Sequence, residues 1–458
     1  MRQIIVLAGL VIVMGLITIG AWPKLTKNPE ELDLRALGER SGHAYIYGYP
    51  LVLSDVTRQA FLARAETPAL NTLYHRRTRP THEDRTVVRP NLDTLYTLAF
   101  LDLSEGPVLL STPDFGERDW MFQVLDAWTD VAGAPSRRLN GPGPHDVLIL
   151  GPDQPRPDDS GMAMMTVSTR TAWLIGRIAI APGEDLAPIH ALQDAVRLTG
   201  ATPLSRPAAI GGLPPEYVNA LSADAFFTRM AGVVSFSDPE ALGALTPLGY
   251  GPQREDEPAK LGLLARGAMN RGVSVARTQL AQGVNTRPYG PTNWRTLREG
   301  VGEYGEDYAL RAGVALVGLG ANRAEDAIYP NTDIDREGTP LTGDHAYKIR
   351  FSPDQTPPVD AFWSVTVYDA QGYLMDTSSG RYTIHSQSDL QRDADGGLTL
   401  TFSAEPPPSR QSNWLPVRAG EPFAITARLY SPQPEALSGA WEMPPVEQLS
   451  EYVTPPPR

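Results

Sequence analysis

The densest run of side chains able to do chemistry is Asn91-Leu92-Asp93-Thr94-Leu95-Tyr96. Strand alternation puts Asn91, Asp93 and Leu95 on one face, so an amide and a carboxylate point the same way. Such a pair can bind a sugar hydroxyl or orient a water. Following Pro90, the same two side chains can instead close a turn through local backbone hydrogen bonds, and both readings are open. Asp126 and Trp128 form a second pair, an acid two residues from an aromatic platform, with ordinary sandwich packing as the alternative. Asp93 and Asp126 are therefore the candidate catalytic residues, since two acids across a cleft permit glycoside hydrolysis. Asn91, Tyr96, Trp128 and Arg177 are candidate substrate-binding residues around them. In residues 362–368 a mixed face of Phe362, Ser364, Thr366 and Tyr368 alternates with an apolar face of Trp363, Val365 and Val367, and Tyr368 or Trp414 can stack on a ring or belong to a core.

Other signatures are missing. The seven histidines show neither HExxH nor another tight metal spacing, so no metal site and no cofactor are expected. Gly272-Val273-Ser274-Val275-Ala276 approaches a serine-hydrolase elbow but ends in alanine within helical texture, which makes Ser274 a helix residue. Gly313, Gly318 and Gly320 lack the spacing and the lysine of a phosphate loop. The absence of cysteine excludes disulfides and thiol catalysis, and a formal charge of −13 argues against a nucleic-acid partner.

These side chains must be carried by a body of several textures. Residues 4–22 hold no charged side chain and nearly span a bilayer core at ~1.5 Å per residue. They predict an N-terminal transmembrane signal anchor, or a cleaved signal, with the folded body in the periplasm or outside the cell. Asn28-Pro29-Glu30-Glu31 then reads as a helix start, Pro50 as a break, and residues 51–65 as a second helical stretch. Short β-type runs fill residues 86–180, helical spacing fills much of 185–282 and 293–320, and alternating strands return beyond Asn331. In the last part Leu398, Leu400 and Phe402 share one face, as do Phe423, Ile425, Ala427 and Leu429. Two such faces must bury each other, with Trp363 or Phe362 in the same core, while Asn413-Trp414-Leu415-Pro416 should cross one end as a loop.

Several strings resemble a pair of families of exported bacterial proteins, the domains of unknown function DUF1254 and DUF1214. The first is carried by residues 89–96, by Leu101-Asp102-Leu103-Ser104 with Gly106-Pro107-Val108, by residues 123–128, and by Trp173, Arg177 and Asp185. The second is carried by residues 361–369, Asn413-Trp414-Leu415-Pro416, Arg428-Leu429-Tyr430, Pro432 and Trp441. Between them Tyr308, Arg311, Gly318, Asn322 and Tyr329 also fit. The resemblance implies two β-sandwich units, the second jelly-roll-like, joined by helices, and brings no mechanism with it. The expectation is thus a β-rich α+β chain: anchor and linker (1–27), N-terminal β-sandwich-like domain with leading helices (28–184), helical region (185–330) and jelly-roll-like domain (331–458). Two functions are open: an envelope enzyme acting on a small polar or glycan substrate, or a non-catalytic binding or structural module. The expected partners are the membrane, through the N-terminal helix, and a small-molecule or glycan ligand.

Overall fold

The computed structural model describes residues 33–450, apart from 158–160, 206, 208, 235–237, 252–260, 286–287 and 378. The apolar segment 4–22 and the helix start expected at Asn28 lie outside the described residues. Among the described residues no helix is long and apolar enough to cross a membrane.

The described strands form four sheets. The first runs β1 (Tyr74–His75), β2 (Thr94–Asp102), β8 (Thr171–Ala179), β4 (Trp120–Asp126), β5 (Val131–Gly133), and the second β7 (Ala163–Thr166), β6 (His145–Leu150), β3 (Val108–Thr112), β9 (Arg197–Thr199). Period-two patterning decides which side chains enter the core between them. Leu95, Ala99 and Leu101 of β2, Phe122 and Val124 of β4, and Leu174 and Ile178 of β8 meet Val108, Leu110 and Ile149 of the second sheet. Gly176 is required in β8, since a Cβ there would stand 2.4 Å from the Phe122 ring. The opposite face of the first sheet, with Met121, Leu125, Ile175 and Tyr96, packs a separate apolar cluster and is covered too.

The C-terminal half repeats the arrangement. The third sheet runs β10 (Ala327–Ile328), β17 (Phe423–Tyr430), β13 (Trp363–Asp369), β14 (Thr383–His385), with β11 (Asn331–Thr332) also on β17. The fourth runs β16 (Trp414–Pro416), β15 (Leu398–Ser403), β12 (Tyr347–Phe351), β18 (Glu447–Gln448). Trp363, Val365, Phe423, Ile425, Ala427 and Leu429 face Ile349, Phe351, Leu400 and Phe402 in one core, as the alternation requires; removing such faces from water stabilises by ~25 cal/mol per Å². The expected Trp414 loop is instead a short edge strand, where proline's missing donor is tolerated. The second face of the third sheet, with Ser364, Thr366, Tyr368, Thr426, Arg428 and Tyr430, is buried as well, and it carries the site described below.

A helical layer completes the fold: α1 (Leu34–Leu62), α2 (Ala223–Val233), α3 (Leu263–Asn285) and α4 (Tyr308–Gly318) share a core built on Tyr45, Tyr49, Phe226, Met269 and Ala312. Asp33 caps α1 by accepting from the N–H groups of Arg35 and Ala36 at 3.0 and 3.1 Å. The break expected at Pro50 is absent. Proline removes one backbone bond, but Tyr45, Tyr49, Leu51, Val52 and Leu53 on either side are buried at 0–2 % exposure, and that packing holds both halves in one helix. The helix expected over 293–320 is shorter, because Gly300, Gly302 and Gly305 take φ of 72, 77 and 53° and end helical geometry before Tyr308.

Candidate functional site

Just before β2 the chain runs against the buried polar face of the third sheet. Asp93, 1 % exposed, accepts at Oδ2 from the Ser364 hydroxyl (2.6 Å) and the Tyr430 hydroxyl (2.9 Å). Asn91 closes the turn, accepting from the Asp93 N–H at 2.7 Å, and its amide donates to Tyr430 at 3.0 Å. Burial, reinforced by the Asp93 carboxylate, holds the Tyr430 hydroxyl well above the ordinary tyrosine value, so it remains a donor. Arg428 donates to the Arg89 carbonyl (3.0 Å), the Tyr368 hydroxyl (2.6 Å) and Thr366 (3.2 Å), while Tyr368 donates to the Pro90 carbonyl (2.8 Å) and Arg89 to Thr426 (2.5 Å). This is a polar seam joining two β-units; most of its groups are satisfied internally, while Asp93 Oδ1 is buried without a hydrogen-bond partner.

Phe362 and Tyr430, whose rings lie 4.3 Å apart, also line a crevice of about 50 Å³ beside the seam. Its other walls include Thr94, Asp119, Met121, Ser136, Arg138, Arg177, Asn322 and Asp326. Arg138 and Asp326 pair their charges there, and Arg177 is held by neutral acceptors. Arg177 donates to Gln123 and to the Gly320 carbonyl, both at 3.0 Å, and Arg138 to Asp326 at 2.6 Å. Gly320 can present that carbonyl only as glycine, with φ of 85° and a Cβ position 2.7 Å from Ile175. Burial raises the Asp119 and Asp326 carboxyls above the ordinary range, against the opposing pull of Arg137 and Arg138.

Three neutral groups on the crevice wall are not paired: Thr94 Oγ1, Ser136 Oγ and Asn322 Oδ1 are buried without a hydrogen-bond partner. Each unsatisfied polar atom costs about 1–3 kcal/mol, so three around one cavity mark a place where something else supplies the bonds. The arrangement offers two hydroxyls that donate or accept, one carbonyl acceptor and an aromatic wall. The space holds a few waters or a solute of equivalent size, far below the ~300–1,000 Å³ of larger ligand pockets. Thr94→Val, which removes the orphan hydroxyl and keeps the shape, is expected to raise stability by about 1 kcal/mol; a thermal midpoint that falls would show the hydroxyl already satisfied. A larger depression of about 450 Å³ near Asp335 and Glu447 is open and holds paired charges, Arg336 meeting Glu447 at 2.8 Å.

Residues 70–200 match the family described as Protein of unknown function (DUF1254), and residues 326–434 match the one described as Protein of unknown function (DUF1214). The chain pairs a DUF1254 region with a DUF1214 region. No curated protein matches the sequence. Among solved structures, the VPA0106 protein from Vibrio parahaemolyticus is 21 % identical, with 90 % of this chain and 100 % of that chain covered and a TM-score of 0.67; it shares the fold. An uncharacterized protein from Burkholderia cenocepacia is 15 % identical over 91 % of this chain and 95 % of that chain, with a TM-score of 0.46. The crevice lies where the two regions meet: DUF1254 supplies Thr94, Asp119, Ser136 and Arg177, DUF1214 supplies Asp326, Phe362 and Tyr430, and Asn322 comes from the link between them.

Of the residues singled out in the sequence, Asn91, Asp93 and Tyr368 belong to the seam and Arg177 to the crevice. Tyr96 lies under the Arg177 guanidinium at 5.4 Å. Trp414 is apart, on the fourth sheet, its indole N–H held by the Ser403 carbonyl at 3.1 Å. Asp126 and Trp128 are also apart. Asp126 pairs with Ala172 of β8, whereas the Asp93 carbonyl accepts from Ile180 N–H; eight residues of extended chain separate the two levels, ~26 Å at ~3.3 Å each. A glycosidase needs its carboxyls within about 5–9.5 Å, so Asp93 and Asp126 do not form that pair. Thr94 and Ser136 were not singled out as site residues, and Phe362 was read only as a strand or core residue: nothing local distinguishes a hydroxyl that ends without a partner from one that finds it. Among the described residues no group of three His, Asp or Glu side chains is placed to hold a metal.

Proposed function

We propose that this chain is a binding protein of the cell envelope that holds a small uncharged molecule rich in hydroxyl or carbonyl groups in the crevice between its DUF1254 and DUF1214 regions. The observation that carries the reading is that Thr94, Ser136 and Asn322, each with a buried side-chain oxygen that lacks a hydrogen-bond partner, line one crevice. A neutral ligand fits because the neighbouring guanidiniums are committed, and desolvating another charge would be costly. The apolar segment 4–22 would tether the body to the inner membrane, with the folded part outside the cytoplasm. A catalytic role has one specific support: Asp119 and Asp326 face the same crevice with carboxyls raised by burial, as a general acid requires.

Saturation-transfer NMR on the full chain with ethylene glycol, glycerol and erythritol, beside the cations ethanolamine and tetramethylammonium, separates these readings. Saturable signals are expected for the neutral polyols and not for the charged pair. Binding restricted to charged solutes would overturn the proposal, and chemical conversion of a bound polyol would move it to the catalytic reading.

A further inference from the structure

At the far end of β4 a second group of buried side chains carries unmet demands, and it lies outside the crevice. Arg311 of α4 is 6 % exposed and sits among three rings, its guanidinium carbon 5.4 Å from the centroid of Tyr47 and 5.0 Å from those of Trp128 and Tyr308. Its Nη1 faces Asp130 Oδ2 at 3.6 Å, while Nε and Nη2 have no hydrogen-bond partner. Those two nitrogens form the side-on edge of a guanidinium, whose parallel N–H bonds match the two oxygens of a carboxylate.

The turn between β4 and β5 adds two more costs. Thr129, 3 % exposed, holds φ at 76° with its hydroxyl unpartnered; left-handed geometry is a genuine outlier for a β-branched residue. Asp126, also buried, accepts from Asp130 N–H at 2.9 Å and from the Ser168 hydroxyl. Strain, an orphan hydroxyl and a buried, unpartnered arginine edge gathered in one turn and its facing helix are typical of a binding site rather than of a scaffold. Tyr308 is the half-buried wall of the cage, held by a 2.5 Å bond to Glu240, and is the side by which a ligand would enter.

We propose that the Nε/Nη2 edge of Arg311, with the Thr129 hydroxyl, receives a small carboxylate, and that Asp126 takes up a proton as it binds. Charge balance requires the second half. Asp126 and Asp130 already face Arg311, and Asp238 and Glu240 act on Tyr47 and Tyr308 beside it. A carboxylate entering this acidic surrounding is accepted most readily when it replaces a negative charge rather than adding one. Burial has pushed the Asp126 carboxyl up to about 6, which makes that exchange easy near neutrality.

The test is calorimetric titration of the full chain with sodium acetate at pH 5.5 and 7.5, in two buffers that differ in ionisation enthalpy. Saturable binding is expected, weaker at the higher pH by about tenfold per unit above the Asp126 titration, with proton uptake approaching one per acetate. Arg311→Lys, which keeps the charge and loses the fork, should weaken binding by at least about tenfold. Asp126→Asn should bind acetate without proton uptake and nearly independently of pH, so the proposal stays testable even if Arg311→Lys fails to fold. No saturable heat, binding without proton uptake in the wild type, or unchanged uptake in Asp126→Asn would each overturn it.

Discussion

Arg428→Met should lower stability by about 3–5 kcal/mol and split the calorimetric transition of the full chain into two. Arg428 is 3 % exposed and fastens the third sheet to the segment leading into β2 through the carbonyl of Arg89, and it orders Tyr368 of the same sheet, which donates to the Pro90 carbonyl. Methionine fills similar volume but donates nothing. The Arg89 carbonyl loses its Arg428 donor, Tyr368 loses the donor that orders its own bond to Pro90, and the Asp93 carboxylate loses a nearby positive charge. Removing one member of a buried charged network exposes the desolvation penalty of the rest. Because these bonds cross between two hydrophobic cores, the loss falls on their coupling rather than on either core. Scanning calorimetry would show it directly; one unshifted transition would mean that apolar contacts alone join the units.

The second large effect is a gain. Asp126→Asn is expected to stabilise the protein by about 2–3 kcal/mol at pH 8 and to leave it unchanged near pH 4. The folded carboxyl sits at about 6 against an ordinary 3.8, raised chiefly by burial, with Ser168 pulling it down and Asp130 pushing it up. The folded state therefore holds this proton more tightly than the unfolded chain. That stabilisation is complete below the unfolded value and is lost as pH rises through about 6, beyond which the ionised, buried group is a liability. Asparagine stays neutral and can still accept from Asp130 N–H. Thermal midpoints of the two proteins should converge at pH 4 and diverge by pH 8; parallel curves would place the Asp126 titration in its ordinary range. A protein that keeps such a liability beside the strained Thr129 and the unpartnered edge of Arg311 gives up stability for a site, as the carboxylate proposal requires.

The inner faces of the strands were legible because alternation is a local property. Phe423, Ile425, Ala427 and Leu429 could be read as an inner face without knowing their neighbours, and they pack as one. The other face was harder: Ser364, Thr366 and Tyr368 read as a mixed face, yet with Thr426, Arg428 and Tyr430 of the neighbouring strand they are buried, and the face meets residues 89–93, more than two hundred and seventy positions away in the chain. Periodicity reports which residues share a face and is silent on what covers it. Pro50 shows the same limit, since tertiary packing carries α1 through a residue that local preference would use to end it. At the site, Asn91, Asp93 and Arg177 stood out as types able to do chemistry, but the structure gives them partners: the turn reading for Asn91 holds, and Asp93 is bound on Oδ2 by two hydroxyls. The unpartnered groups, Thr94, Ser136 and Asn322, come from three separate stretches of chain, and only the fold brings them to one cavity.

The central claim is that those three atoms are held open for a small neutral ligand. Its most direct test is the dissociation constant of the best-binding polyol for the wild-type chain and for Asn322→Leu, which withdraws the carbonyl acceptor and leaves the crevice apolar at that point. Loss of one buried hydrogen bond is worth about 1–1.5 kcal/mol, or roughly tenfold in affinity. The account predicts saturable binding by the wild type and at least that weakening in the variant, whose thermal midpoint falls modestly because the Tyr329 hydroxyl loses its bond from the Asn322 amide. Equal affinity in the two proteins, or no saturable binding by any polyol, would contradict it.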